Sequence, residues 1–492
     1  MSLKIYNTAT RKKETFQPIH EGQVGIYVCG ITAYDVCHVG HARAAIVFDV
    51  VVRYLKASGW RVTFVKNFTD IDDKIIDRAK REGVPFTAIS ERYIQAHDEE
   101  MAALGVEPPT VTPRATEHMA EMIALVKTLE EKGYAYDVDG DVYFSIRDFQ
   151  RYGKLSGRNL EEMMAGARVD VNDKKRNPLD FALWKKSKEG EPFWESPWGR
   201  GRPGWHIECS AMSARYLGTP FDIHGGGEDL IFPHHENEVA QTMAATGRPL
   251  ANYWMHNGFV RIHSEKMSKS LGNIFPVREI LKNYHPEVLR LFILQNHYRS
   301  PVDYSDSALN ETRSALLRVY TALKLVKDVL QKTSVDNSRS DREPSSREEK
   351  FGEGFGDLAD KFNAAMDDDF NTAQALGYVF ETVRRINHIG ADKHMSPPEK
   401  ARKLSAARGV MDYFASVLGV FHSDADAFFL SDRDKELRKQ GLNAADIEAL
   451  VEQRNAARAA KDWATADAIR AQLAQHHIVL KDAAGQTSWM IE

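Results

Sequence analysis

A chain of 492 residues is too long for one compact core and predicts about three domains at roughly 150 residues each. Its 43% hydrophobic and 27% charged residues exclude collagen, coiled coil and a wholly disordered chain. Lys and Arg number 65 against 70 Asp and Glu, a net charge of -5, so a nucleic-acid partner has to meet a local patch or a shaped surface.

Cys29, Cys37 and Cys209 are the only cysteines. So odd and sparse a set excludes a disulfide framework, fits a reducing compartment and leaves thiolates available for a metal or for catalysis. The first residues carry Lys4, Arg11, Lys12 and Lys13 without an apolar stretch, so no signal peptide is expected. No run of about 20 apolar residues could span a bilayer, and no repeat of roughly 20–50 residues is present. A soluble, cytoplasmic protein is the expectation.

Val24-Gly25-Ile26-Tyr27-Val28 predicts a short strand ending at Cys29-Gly30. A helix follows, with Ala45, Phe48, Val52 and Leu55 on one face and Gly59 past its end. Val62-Thr63-Phe64-Val65 is a second buried-type strand, and such a βαβ unit implies a parallel sheet. Helical patterns run to about Leu104 and break at Val106-Glu107-Pro108-Pro109-Thr110. From 112 to 204 the texture changes to a helix over 117–132, alternation at Val142-Tyr143-Phe144, and a loop-rich stretch with Pro178, Pro192, Pro197 and Pro203. This reads as an insertion. Alternation of strand and helix resumes with Phe221-Asp222-Ile223-His224, a glycine triplet, a helix over 233–245 and a strand over 253–260. A parallel sheet interrupted and then completed puts a site at the carboxyl ends of its strands. Beyond Ser307 the chain reads as helical, with Leu316, Leu317, Tyr320, Leu323 and Val326 at helical spacing. The stretch 332–350 is almost free of apolar residues and predicts a solvated loop. A small module beginning near Leu437 offers one long helix over 447–473 and a strand at Ile478-Val479-Leu480.

Three constellations carry chemistry. His38-Val39-Gly40-His41 sits where the first strand's loop enters a helix, whose unpaired N–H groups and positive dipole end favour phosphate. Gly40 lets the backbone and a flat base approach closely. Lys266-Met267-Ser268-Lys269-Ser270 places two lysines three apart among small hydroxyls, a cationic loop able to neutralise a polyphosphate. Each alone reads equally as helix-start histidines or a solvated loop; both together, in this order around a split sheet, favour nucleotide chemistry. The third is a metal site. His234 and Glu238, four apart, share a helix face, with Cys209 on the preceding segment and Cys29 at the end of the first strand. Two thiolates, an imidazole and a carboxylate suit zinc better than magnesium or calcium. On spacing alone, two inert buried cysteines and a surface His/Glu pair explain them at least as well.

HVGH with KMSKS resembles the signature pair of class I aminoacyl-tRNA synthetases. Tyr27-Val28-Cys29-Gly30-Ile31-Thr32, Asn67-Phe68-Thr69-Asp70-Ile71-Asp72-Asp73-Lys74-Ile75, Gly204-Trp205-His206-Ile207-Glu208-Cys209-Ser210 and Phe232-Pro233-His234-His235-Glu236-Asn237-Glu238 narrow the resemblance to cysteinyl-tRNA synthetases. Lys175-Arg176-Asn177-Pro178-Leu179-Asp180 and Asp367-Asp368-Asp369-Phe370-Asn371-Thr372 extend it, and it runs from Leu3 to Trp489. Val39 stands where the family often has Ile, and 332–350 is weakly matched.

The resemblance implies an α/β fold: a Rossmann-like parallel-sheet catalytic domain split by an insertion, then an all-α helical domain and a small mixed C-terminal module. The corresponding segments are 1–111 and 205–260 for the catalytic halves, 112–204 for the insertion, and 261–308 for the KMSKS loop and stem-contact region. A helical tRNA-binding bundle takes 309–424 and an anticodon module 425–492. It further implies ATP-dependent formation of cysteinyl-adenylate and transfer to the 3′-terminal ribose of tRNA(Cys), through the 2′-hydroxyl as is typical of class I. His38, His41, Lys266 and Lys269 would act at the phosphates, with Gly40, Gly227, Asp229 and Lys269 holding ATP and its Mg2+. Thr32, Thr69, Trp205 and His224 are the expected cysteine pocket, with local packing as the alternative for these four and for Gly227 and Asp229.

One Zn2+ per chain would rest on Cys29, Cys209, His234 and Glu238, with Cys37 a packed thiol and His235 and Glu236 turned elsewhere on the helix, in packing roles or supporting the ligands. A hydrophobic pocket rejects a near-isostere by only around a hundredfold, so thiolate coordination would discriminate cysteine from serine without an editing domain. Arg454, Arg458, Lys461, Trp463, Arg470 and Trp489 offer cations and aromatics for unpaired anticodon bases, or else an ordinary amphipathic helix. A cytoplasmic monomer with no DNA or membrane partner is expected. A cysteine ligase acting on an aminosugar would lack the C-terminal module, an HxGH nucleotidylyltransferase would be shorter, and a non-catalytic paralogue would have lost a signature.

Overall fold

The computed structural model describes residues 2–159, 175–262, 265–266, 275–333, 351–352, 354–483 and 486–491. An N-terminal hairpin pairs Lys4–Asn7 (β1) with Lys12–Thr15 (β2), and Arg11 at its tip has φ 59°. The expected βαβ unit follows as Gln23–Val28 (β3), Val39–Ala57 (α1) and Arg61–Lys66 (β4), with β3 and β4 parallel. Along β3, Val24, Ile26 and Val28 face one apolar core and Tyr27 faces another, the period-2 alternation of a strand buried on both sides. Burying one such Val or Ile stabilises by roughly 1.5–3 kcal/mol. Asp73–Glu82 (α2) and Phe86–Ala103 (α3) follow; Asp72 caps α2 by accepting from Lys74 N at 2.9 Å.

The insertion is a layer of its own. Met119–Glu131 (α4) leads into Ala135–Val138 (β5), Asp141–Phe144 (β6), Phe181–Lys186 (β7) and Gly201–Pro203 (β8), one antiparallel sheet in that order. Trp205–Leu217 (α5), Phe221–Gly227 (β9), Glu236–Thr246 (α6) and Ala251–Asn257 (β10) then complete the parallel sheet in the order β10-β9-β3-β4. The strand expected over 253–260 ends earlier. Val260–Ile262 (β11) leaves for a second sheet with Glu265–Lys266 (β12) and, beyond Val277–Asn283 (α7) and Pro286–Leu294 (α8), Val302–Tyr304 (β13).

The helical region is Asp306–Lys332 (α9), Gly356–Asp367 (α10), Thr372–Ala391 (α11) and Pro397–Leu418 (α12). Of the polar stretch 332–350, residues 334–350 lie outside the described residues. Leu316, Val319, Phe362, Val379 and Phe414 of these helices share one continuous core with α1. At the junction Tyr54 Oη, at the end of α1, donates to Asp367 Oδ1 at 2.7 Å, and buried Arg290 of α8 pairs with Asp49 of α1. Ala425–Lys439 (α13) stays with this core, since Phe428 stacks on Tyr320 at 3.8 Å and Arg313 holds Asp432 at 2.8 Å. The boundary the resemblance implied at 425 is the start of this helix, which packs on the preceding layer.

The single helix expected over 447–473 is corrected to two, Ala444–Ala459 (α14) and Trp463–Gln475 (α15). Lys461 turns left-handed at φ 61° and Asp462 caps α15 by accepting from Thr465 N at 3.1 Å. Helical periodicity continues across this break, which is why the sequence pattern hides it. Ile478–Ala483 (β14) and Gln486–Ile491 (β15) form the closing hairpin over a small core of Leu437, Ile447, Val451, Ile469, Leu473, Ile478 and Leu480.

Candidate active site and metal centre

His38 is the N-cap of α1, with Nδ1 accepting from Gly40 N at 3.1 Å while His38 N donates to His41 Nδ1 at 3.3 Å. The two imidazoles stack at 3.7 Å, and no acid occupies the first turn to neutralise the helix's positive end. They border a cavity of about 320 Å³ at the carboxyl ends of β3 and β9 that is also lined by Cys29, Thr32, Gly40, Trp205, Gly227 and Asp229. Val39 N donates to Phe275 O at 3.2 Å and Val277 N to Cys37 O at 2.9 Å, so the chain leaving the KMSKS stretch returns beside HVGH. Lys266 pairs with Arg261 across β11 and β12; Lys269 lies outside the described residues.

Cys29 follows β3, Cys209 lies on α5, His234 precedes α6 and Glu238 is in its first turn. Their donor atoms all lie within 4.8 Å of one another, and all but Cys29 are buried. Cys29 Sγ is 3.4 Å from Glu238 Oε1, which lies 3.0 Å from His234 Nε2. Gly30 makes this approach possible: a Cβ there would stand 1.5 Å from Asn67 O, whose side chain accepts from Gly30 N at 2.9 Å.

Burial alone would raise Glu238, but His224 and His234 outweigh it and hold the carboxyl well below the usual range. Burial also raises Cys209, yet Cys29 and His234 bring it down to about 6. His234, which burial lowers, is lifted to about 10 by Glu238 and Cys209, while burial and then Cys209 push Cys29 well up. The groups thus bias one another's protonation, Glu238 and Cys209 towards the charged form and Cys29 towards the neutral thiol. A divalent cation bound here would take the place of protons these groups carry. His234 Nε2 is moreover buried with no hydrogen-bond partner, despite facing Glu238. Two thiols, an imidazole and a carboxylate with such an orphaned donor fit zinc.

The expectation that His235 turns away is corrected. Its Nε2 lies 3.3 Å from Cys29 Sγ, and with Cys29, His224 and Glu238 it makes a second, overlapping donor group. His235 stands three residues before Glu238 and His234 four, and both spacings share a helix face, so both imidazoles reach the cluster. A chain of bonds runs behind the cluster from Thr8 Oγ1 to His256 Nδ1, then from His256 Nε2 to His235 Nδ1, each 2.8 Å. His206 Nδ1 meets His234 Nδ1 at 2.9 Å. Sequence reading missed His206 and His256; their separation along the chain gave no signal.

Of the expected cysteine pocket, Thr32 and Trp205 line the cavity, and Trp205 stacks on His234 at 4.1 Å. Thr69 and His224 lie deeper. Thr69 Oγ1 donates to Glu208 at 2.6 Å, and His224 Nε2 bonds Glu238 Oε2 at 2.7 Å while stacking on Trp254. Cys37 is buried, its thiol raised by burial and by Glu100, away from the cluster. In the C-terminal module Arg454 and Arg458 are held by Asp482 and Trp489 lies under Arg433, leaving Lys461, Trp463 and Arg470 exposed.

Family profiles match three segments. Residues 15–314 match the tRNA synthetases class I (C) catalytic domain, 361–422 the DALR domain, and 442–489 the cysteinyl-tRNA ligase anticodon binding domain. Cysteine–tRNA ligases of Geobacter sulfurreducens and Pelobacter propionicus are each 53% identical over 100% of both chains. A Mycobacterium tuberculosis methionyl-tRNA synthetase in complex with methionyl-adenylate superposes with a TM-score of 0.60 at 17% identity, covering 82% of this chain and 93% of that one. That likeness shows the shared class I fold. With full-length relatives at this identity and a catalytic profile over most of the chain, the protein belongs to the cysteinyl-tRNA synthetase family.

Proposed function

We propose that the chain is an ATP-dependent ligase that joins L-cysteine to the 3′-terminal ribose of tRNA(Cys), using zinc to recognise the side chain. One observation carries this reading: the Cys29, Cys209, His234 and Glu238 donors converge, and Cys29 of that group lines the same cavity as His38, Gly40 and His41 at the start of α1. Amino-acid side chain and ATP would thus share one cavity.

A zinc ion on those donors would supply a soft Lewis-acid centre that accepts the substrate thiolate and gains little from a serine hydroxyl. His224 and His235 steady the donors, His224 through Glu238 and His235 beside Cys29. Trp205 and Thr32 close the cysteine pocket. The substrate carboxylate attacks the α-phosphate and pyrophosphate leaves; the terminal ribose hydroxyl then attacks the adenylate carbonyl and AMP leaves. Such transfers need positioning and charge neutralisation more than a general base. His38 and His41, on the positive end of α1, hold phosphate oxygens; Lys266 and Lys269 neutralise the departing pyrophosphate together with the Mg2+ that ATP carries. Gly40, Gly227 and Asp229 accommodate adenosine.

Cysteine-dependent pyrophosphate exchange, charging of purified tRNA(Cys) and zinc analysis of the same preparation test this. Stoichiometric zinc with cysteine-specific exchange is the expected result. Exchange driven equally by serine, or charging of another tRNA, would overturn it.

A further inference from the structure

We propose that the tip of the β1–β2 hairpin and the segment 151–158 form one cationic surface that receives the phosphate backbone of the tRNA acceptor end. The inference rests on the ligase reading and adds the surface that delivers the RNA end to the cavity.

Arg11, Lys12, Arg151, Lys154 and Arg158 are all exposed. Some exposed cations of this acidic chain find carboxylates, as Lys327 does with Asp424 and Asp426 at 2.6 and 2.7 Å. Among the described residues none of these five lies within ion-pair distance of an acid; Arg11 reaches Ser156 O at 3.5 Å, and Arg158 lies over the Phe232 ring at 4.3 Å. Lys13 is spent on Asp368 at 2.7 Å.

The surface is built rather than incidental. Arg11 takes a left-handed backbone, φ 59°, and packs so closely on Gly157 that a Cβ there would stand 1.6 Å from its Nη2. Hairpin and segment thereby become one body. Glu236 accepts from Gly153 N at 2.9 Å and Ser156 N at 2.7 Å, and Tyr152 donates to Asn237. Glu236 and Asn237 immediately precede Glu238, and Phe232 stands two residues before His234. Thr8 of the hairpin bonds His256 behind the cluster. Five cations with no acid in ion-pair distance among the described residues are therefore fastened to the turns that carry the candidate metal donors. The RNA that must come there is the acceptor end, because its terminal ribose reacts at this cavity. A net charge of -5 repels RNA in bulk, so such a patch sets where the backbone lands.

The test compares wild type with the triple variant R11A/K154A/R158A in pyrophosphate exchange and in charging of tRNA(Cys) over a salt series. Activation needs no tRNA, so exchange should stay within about twofold, while the KM for tRNA rises by about tenfold or more and its salt slope falls by about one unit per lost phosphate contact. The charge-keeping R11K/K154R/R158K should restore both, and the single K154E should reproduce the direction if the triple variant folds poorly. An unchanged tRNA KM and salt slope with normal exchange would overturn the surface alone. Exchange and charging falling in parallel would also overturn it, since the cations would then support the catalytic architecture. A wild type without cysteine-dependent exchange would instead sink the ligase reading.

Discussion

Glu238 and Asp482 are both carboxylates held by cationic or protonated partners, in different surroundings. Glu238 is fully buried, bonded to His224 and facing His234, and its neighbours decide one another's protonation. Asp482 lies 39% exposed between Arg454 and Arg458, which hold its carboxyl well below the usual range. Water screens the second arrangement, so each contact is nearly independent and contributes little. In the first no water intervenes, and removing one member leaves the others mismatched. On the proposed reading the chemistry sits in the first region, while the second holds a surface in shape.

The contrast can be broken most directly at the cluster. Stripping zinc with a chelator, or C209A, is expected to lower cysteine activation by more than about a hundredfold and to erase discrimination against serine. Pyrophosphate exchange with each amino acid measures this, and retained discrimination in the stripped enzyme would end the zinc proposal. Next in size, K269A should reduce kcat for exchange by about a hundredfold or more while KM for cysteine stays within about twofold. An unaltered kcat would remove Lys269 from the phosphates.

At the other region the effects should be confined to RNA. Deleting residues 441–492 takes away most of a separate small core and should spare exchange while reducing charging by about a hundredfold, read in parallel assays. W463A, at a side chain 59% exposed, should raise the KM for tRNA by roughly tenfold without shifting Tm. R454A, at a buried cation, should lower the module's unfolding temperature instead. The smallest effect concerns acid. Lys324 and Lys327 hold Asp426 down to about 2, so its contribution to docking α13 on α9 is present above the unfolded value near about 4 and lost as pH falls through about 2. D426N should flatten the Tm against pH curve in that window.

Much of this was legible in the sequence. The apolar runs of β3 and β4, the helix between them and the glycine triplet of β9 follow from period and composition, because buried parallel strands read as continuous apolar stretches. HVGH announced a phosphate-favouring helix start. The donor set needed the family resemblance, since Cys29 and Cys209 are brought together only by strand order. His235 reaches the cluster because its i,i+3 spacing to Glu238 shares a helix face as well as the i,i+4 spacing of His234 does. The break between α14 and α15 was hidden because alanines continue the helical pattern up to Lys461. The cationic surface escaped notice because Arg11 and Arg158 are neighbours only in space.

Helix α1 has 19 residues, a rod of about 28 Å. The stacked histidines occupy one end, and the other is pinned by Tyr54 to Asp367, with Asp49 locked to Arg290. A tilt of a few degrees about that anchorage displaces the histidine end by about 1–2 Å, a misplacement that can cost about a hundredfold in rate. With His38 and His41 on the phosphates as proposed, the helical layer would set the mechanical tolerance of the reaction: stiffness in α8 to α12 would keep the phosphate grip in register.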